Sequence, residues 1–162
     1  MIVSYQHADG TVESVSTDDL SAIESATIES VTGMEWDAVD TALRSQNPTA
    51  MRAVLWVNRK RSVPTLKFSD FDLAGWRRRT KARLEYAEIA DMVEVLYRET
   101  REPEELDQMC GYMRTLAHEP ADVDRALKEM DPKAPAPVAA PPAPDLPELG
   151  AVPADSASEP MS

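Results

Sequence analysis

The chain has 162 residues, a formal net charge of −12 and 43% hydrophobic residues, enough for one modest core with an appendage. An acidic surface of this kind repels nucleic acid and anionic lipid, and no apolar run approaches the length of a bilayer span. The single cysteine, Cys110, excludes an intrachain disulfide, and the apolar Met1–Ser4 is followed at once by charge and glycine rather than by a signal-peptide pattern, so the expected compartment is a reducing cytoplasm.

Two short β-prone runs, Ile2–Tyr5 and Thr11–Val15, flank Asp9-Gly10. That dipeptide between such runs predicts a hairpin, which must pack on helices or on a second copy to be stable. Ser16 or Thr17 then caps a helix with Leu20, Ile23, Thr27 and Val31 near one face, and Gly33 ends it. Trp36, Val39 and Leu43 repeat at helical spacing and predict a second helix to about Arg44. Asn47-Pro48 starts a third, running to about Lys60. Met51, Val54, Leu55, Trp56 and Val57 make it the most hydrophobic helix and the expected core, and Pro64 stops it.

Thr65–Phe71 reads as a linker holding Phe68 and Phe71, with Ser69 or Asp70 capping a short helix towards Trp76. From Arg77 to about Arg98 the pattern predicts one longer helix, with Leu84, Ala87, Ile89, Met92, Val95 and Leu96 on its apolar side. Pro103 interrupts, and helices follow over Glu104–Ala117 and Ala121–Met130. From residue 131 the chain is mostly Pro, Ala, Asp, Glu and Ser, a composition that predicts a disordered tail. The expected fold class is therefore mainly α: a hairpin-plus-helix domain over residues 1–75, a helical extension over 76–130 and a Pro/Ala-rich tail over 131–162.

Charge is blocked along the chain. Residues 1–47 are acidic apart from Arg44, 52–83 are strongly basic, and the region after 84 is acidic again. Such a pattern fits internal charge complementarity or a basic docking face. Arg59-Lys60-Arg61 suits the negative end of a helix dipole. The denser Trp76-Arg77-Arg78-Arg79 run, with Lys81 and Arg83, suits either phosphate contacts or an acidic protein surface. A small DNA-binding regulator using residues 52–83 is the alternative function on this ground.

No catalytic set stands out. His7 and His118 lack a second ligand at metal-binding spacing, the glycines are scattered singly, and Cys110 sits on an apolar helix face with no histidine at useful spacing. The paired carboxylates Asp18-Asp19 and Glu104-Glu105 fall at helix starts, where they complement the dipole. The expectation is a binding protein, not an enzyme, with no cofactor or metal.

Between Ile23 and Asp72 four pieces form a pattern: an acidic helix ending in Val31-Thr32-Gly33-Met34, Trp36 opening the next helix, Met51-Arg52-Ala53-Val54-Leu55-Trp56-Val57 followed by basic residues, and Phe68-Ser69-Asp70-Phe71-Asp72. This stretch resembles the tail assembly chaperones of long-tailed phages, especially those infecting actinobacteria. The resemblance implies a protein of the host cytoplasm, absent from the mature virion. It would bind the tape measure protein and keep it soluble while tail tube subunits polymerise around it. It also implies, as further partners, tail tube subunits and a frameshifted longer form of the chain; a second copy in a homo-oligomer is a separate expected partner. A client-holding role needs apolar groups set in a charged surface, and methionines such as Met34, Met51, Met92, Met109 and Met113 supply adaptable contacts. The candidate partner-binding residues are Trp76, Arg77, Arg78, Arg79, Phe68 and Phe71, with Trp76 foremost and Trp56 assigned to the core.

Overall fold

The computed structural model of the chain describes residues 1–100 and 102–130; the expected disordered tail over 131–162 lies outside them. The described part is mainly helical, with a small sheet at its N-terminal end.

Strands β1 (Ile2–Gln6) and β2 (Val12–Ser16) form the expected antiparallel hairpin, with Val3 opposite Val15 and Tyr5 opposite Glu13. Its turn depends on Asp9, whose carboxylate accepts from the Thr11 amide at 2.9 Å and hydroxyl at 2.7 Å, and on Gly10 at φ 90°. Alternation sends Val3 and Tyr5 inward.

Helix α1 (Ala22–Thr32) starts later than the sequence suggested. Ser16 caps only a short 3-10 turn, and the helix opens on a reciprocal Ser21–Glu24 capping box. That shift changes its inner face. Glu24 and Ile28, four residues apart, point at α3, whereas Ile23, expected on the packed side, is 81% exposed. Gly33 ends the helix at φ 69°. Helix α2 (Trp36–Arg44) buries Val39 and Leu43 as its spacing required.

Helix α3 (Pro48–Ser62) is the centre of the fold. Asn47 accepts from the amides of Thr49 and Ala50, and Pro48 occupies the first turn. Ala50, Met51 and every residue from Ala53 to Val57 are buried, because α1, α2 and the sheet pack around it. The indole of Trp56 donates to the Leu66 carbonyl at 3.1 Å, which folds the following loop back onto the helix.

Acidic N-terminal and basic central blocks meet across this core. Arg59 pairs with Glu13 at 2.8 Å, and Arg61 with Glu24 at 2.7 Å. The Arg61 guanidinium, helped by Ser21, holds the Glu24 carboxyl down at about 2. A depressed carboxylate stabilises the fold above its ordinary value of 4.5 and loses that contribution as pH falls towards about 2. Arg61→Gln should therefore lower the melting temperature at neutral pH. In melting temperatures recorded against pH, the gap between variant and native protein should close as the solution is acidified through this window.

The region after Gly75 departs from the expected single helix over 77–98. Helix α4 (Trp76–Arg79) is one turn, and strand β3 (Thr80–Arg83) follows it. Thr80 and Ala82 are buried while Lys81 is exposed, a period of two instead of 3.6. β3 pairs antiparallel with β1, giving the order β2-β1-β3, so the hairpin is widened into a three-stranded sheet. Pairing with the open edge of β1 overrides the weak helix propensity of four residues. The outer edge of β3 is closed by Gln46, whose side-chain amide donates to the Ala82 carbonyl and accepts from its amide.

Helices α5 (Tyr86–Glu99), α6 (Pro103–Leu116) and α7 (Ala121–Met130) complete the described chain. α5 and α6 form a helical hairpin and α7 packs along α5. The amide of Leu84 donates to the Leu116 carbonyl, the amide of His118 donates to the Leu84 carbonyl, and Arg83 donates to the Thr115 carbonyl. These bonds tie the end of α6 to the end of β3. Ile89, Val93, Cys110, Met113, Val123 and Ala126 continue the same buried cluster as α3 and the sheet.

Candidate functional site

Helix α5 has two apolar stripes. Ile89 and Val93, four apart, are fully buried. Met92, Val95 and Leu96 turn to the other side, where α6 presents Met109, Tyr112 and Met113. Between them lies an open groove of about 660 Å³, edged by Asp91 and Gln108. Met113 forms its floor at 2% exposure, while Val95 at 48% and Tyr112 at 65% stand in solvent on its walls. Met92 and Met109 are also exposed.

Apolar walls of this kind cost free energy in water, about 25 cal/mol for each Å² that a partner could cover, and a contiguous patch rimmed by polar groups marks an interaction surface. Methionine side chains adapt to irregular partners at low cost. The two wall helices are held from behind: Cys110 of α6 is buried, and Tyr86 of α5 stacks under Arg125 of α7 at 3.8 Å. The groove thus sits on rigid elements.

The residues singled out in the sequence fall elsewhere. Phe71 is 4% exposed, and its carbonyl accepts from Arg52 at 2.7 Å. Phe68 lies half-buried between the Arg52 guanidinium, 4.0 Å above its ring, and the edge of Trp56. Arg52 also donates to the Phe68 carbonyl. Phe68 and Phe71 therefore pin the 68–71 loop to α3, with Phe71 buried and Phe68 half covered by Arg52 and Trp56. Trp56 is buried, as its place in α3 required.

Trp76 is half-buried, with its ring packed on the core and Arg77 at 5.6 Å from it. Arg77 and Arg78 are exposed and Arg79 partly so. Among the described residues no carboxylate lies within ion-pair distance of these three arginines or of Lys81. The basic segment 52–83 thus divides. Arg52, Arg59, Arg61 and Arg83 are spent on internal carbonyls and carboxylates, Lys60 lies 4.8 Å from the Trp56 ring, and Arg77, Arg78 and Arg79 stand on a short outward turn.

Cys110 is buried at 1% exposure, and burial pushes its thiol up, away from thiolate chemistry, against a smaller opposing pull from Arg114. Among the described residues no group of three His, Cys, Asp or Glu side chains could hold a metal ion, and no helix is long and apolar enough to cross a membrane.

Sequence reasoning offered Met92, Met109 and Met113 as adaptable contacts but did not group them into a groove, because it placed Met92, Val95 and Leu96 on the same side as Ile89. The available signal was the pair of three-residue spacings Met92–Val95 and Met109–Tyr112 on neighbouring helices. Comparison of the chain with family models, with curated proteins and with solved structures found no match.

Proposed function

We propose that this chain is a tail assembly chaperone of a long-tailed phage, which holds the unassembled tape measure protein in soluble form until tube subunits enclose it. The observation that supports it best is the apolar, methionine-walled groove between α5 and α6 on an otherwise acidic protein. A long helical client exposes apolar stripes before assembly, and a helix-in-groove site covers such a stripe reversibly. The surrounding negative charge keeps the loaded complex soluble. The resemblance of Ile23–Asp72 to these chaperones points the same way, and that stretch contributes the scaffold, α1 to α3 and the 68–71 loop, rather than the groove.

The competing reading, a DNA-binding regulator, draws on the unpaired Arg77–Arg79 turn. It is weakened because Arg52, Arg59, Arg61 and Arg83 of the basic segment are engaged internally. Co-expression with the tape measure protein tests the chaperone reading. The soluble fraction of the tape measure protein should rise severalfold and the two should co-purify; unchanged solubility without co-purification would count against it.

A further inference from the structure

We propose that the α5–α6 groove selects a cationic amphipathic helix, one whose apolar stripe is flanked by lysine or arginine. The inference rests on the reading of this groove as the client site and adds the chemistry of the client. The rim carries the argument. Asp91 edges the groove directly. Glu99 lies four residues after Val95 and three after Leu96, on the same helical face. Glu105 lies three residues before Gln108 and four before Met109, again on the groove side of its helix. Because α5 and α6 form a hairpin, Glu99, Glu102 and Glu105 gather at its turn, and all are exposed. Arg98, three residues after Val95, also stands at this end of the groove, where it pairs with Glu94, so carboxylates outnumber cations among the described rim residues.

An apolar floor with an acidic end and edge fits a helix that brings cations beside its apolar stripe. From Asp91 to Glu99 the wall is about 12 Å long, enough for two to three turns of partner helix. Other occupants carry the wrong sign. A second copy docked groove to groove would set the same carboxylates against each other. The chain's own residues 131–162 contain Asp131, Asp145, Glu148, Asp155 and Glu159 against Lys133, and so are repelled by the same rim. α7 already covers the opposite side of α5, so an incoming helix on α5 and α6 would complete a four-helix arrangement.

The test uses the full chain and three synthetic helical peptides with one shared leucine stripe and flanking lysine, glutamine or glutamate. Fluorescence anisotropy should give the lysine peptide an affinity about five- to tenfold above the glutamine peptide, with the glutamate peptide weakest, and the advantage should shrink as salt is raised. Glu99→Gln with Glu105→Gln should reduce the lysine advantage, adding Asp91→Asn and Glu102→Gln should erase it, and both should leave the glutamine peptide unaffected. Equal binding of lysine and glutamine peptides would overturn the inference. So would a lysine peptide whose binding survives Tyr112→Asp in a variant with native circular dichroism, or a dimer of the chain that Tyr112→Asp dissociates. If the peptides bind without charge preference while the tape measure protein is still captured, the inference alone falls. If the lysine peptide is preferred and the tape measure protein is ignored, the functional reading falls and the inference stands.

Discussion

Leu55→Ala is expected to destabilise the protein by about 2–5 kcal/mol and to lower its melting temperature by on the order of 10 °C. Leu55 is fully buried at the middle of α3, with Val54 and Trp56 buried beside it. Removing its branched end takes apolar carbon out of a site walled by a sheet and by helices that each have other commitments. α1 is held by Gly33 and its capping box, and α2 is joined to α3 through the tight Ser45–Asn47 connection, with Gln46 at φ 58°. The site therefore collapses poorly and the cavity persists. A domain of this size has about 5–15 kcal/mol to lose, so the variant should fold but melt early. A variant within about 0.5 kcal/mol of the native protein would mean that α3 is not the centre of the core.

The centre of the fold was legible because its signals are local. Asp9-Gly10, Gly33, Asn47-Pro48 and Pro103 each dictate backbone geometry within a few residues, and each sits at an element boundary where expected. Strand β3 was not legible. Only Thr80 in Thr80-Lys81-Ala82-Arg83 favours a strand, and the reason for the strand is the open edge of β1, more than seventy residues earlier in the chain. The inner face of α1 was misjudged for a similar reason: four- and three-residue spacings describe several faces at once, and Arg61 on α3 decides which of them turns inward.

The second large effect is on binding. Val95→Asp together with Tyr112→Asp should weaken capture of the tape measure protein at least about tenfold, since each places a charge that a docked apolar stripe would have to desolvate. Both side chains stand in solvent in the free protein, so stability should change by no more than about 0.5 kcal/mol. The two variants separate effects on the fold, read at Leu55, from effects on the proposed client site, read at the groove walls.

The candidate site was half legible. The methionines and the need for apolar groups in an acidic surface could be read from composition, but their grouping could not. α5 carries adjacent stripes, Ile89–Val93 and Met92–Val95–Leu96, and only the packing of α7 reveals which is covered. Phe68 and Phe71 attracted attention as aromatic residues in a loop. Arg52 beneath them, three residues from Leu55, was the sign that they close over α3.

The α5–α6 groove, rather than any other apolar surface among the described residues, is the proposed client site. Retention of tape measure protein on immobilised chain, compared for the native protein, Val95→Asp/Tyr112→Asp and Ile23→Asp, tests that assignment most directly. Ile23 is the control because it is the most exposed large hydrophobic side chain among the described residues and lies on α1, outside the groove. Native protein and Ile23→Asp should retain the client equally while the groove variant releases it. Equal retention by all three, or loss with Ile23→Asp alone, would contradict it.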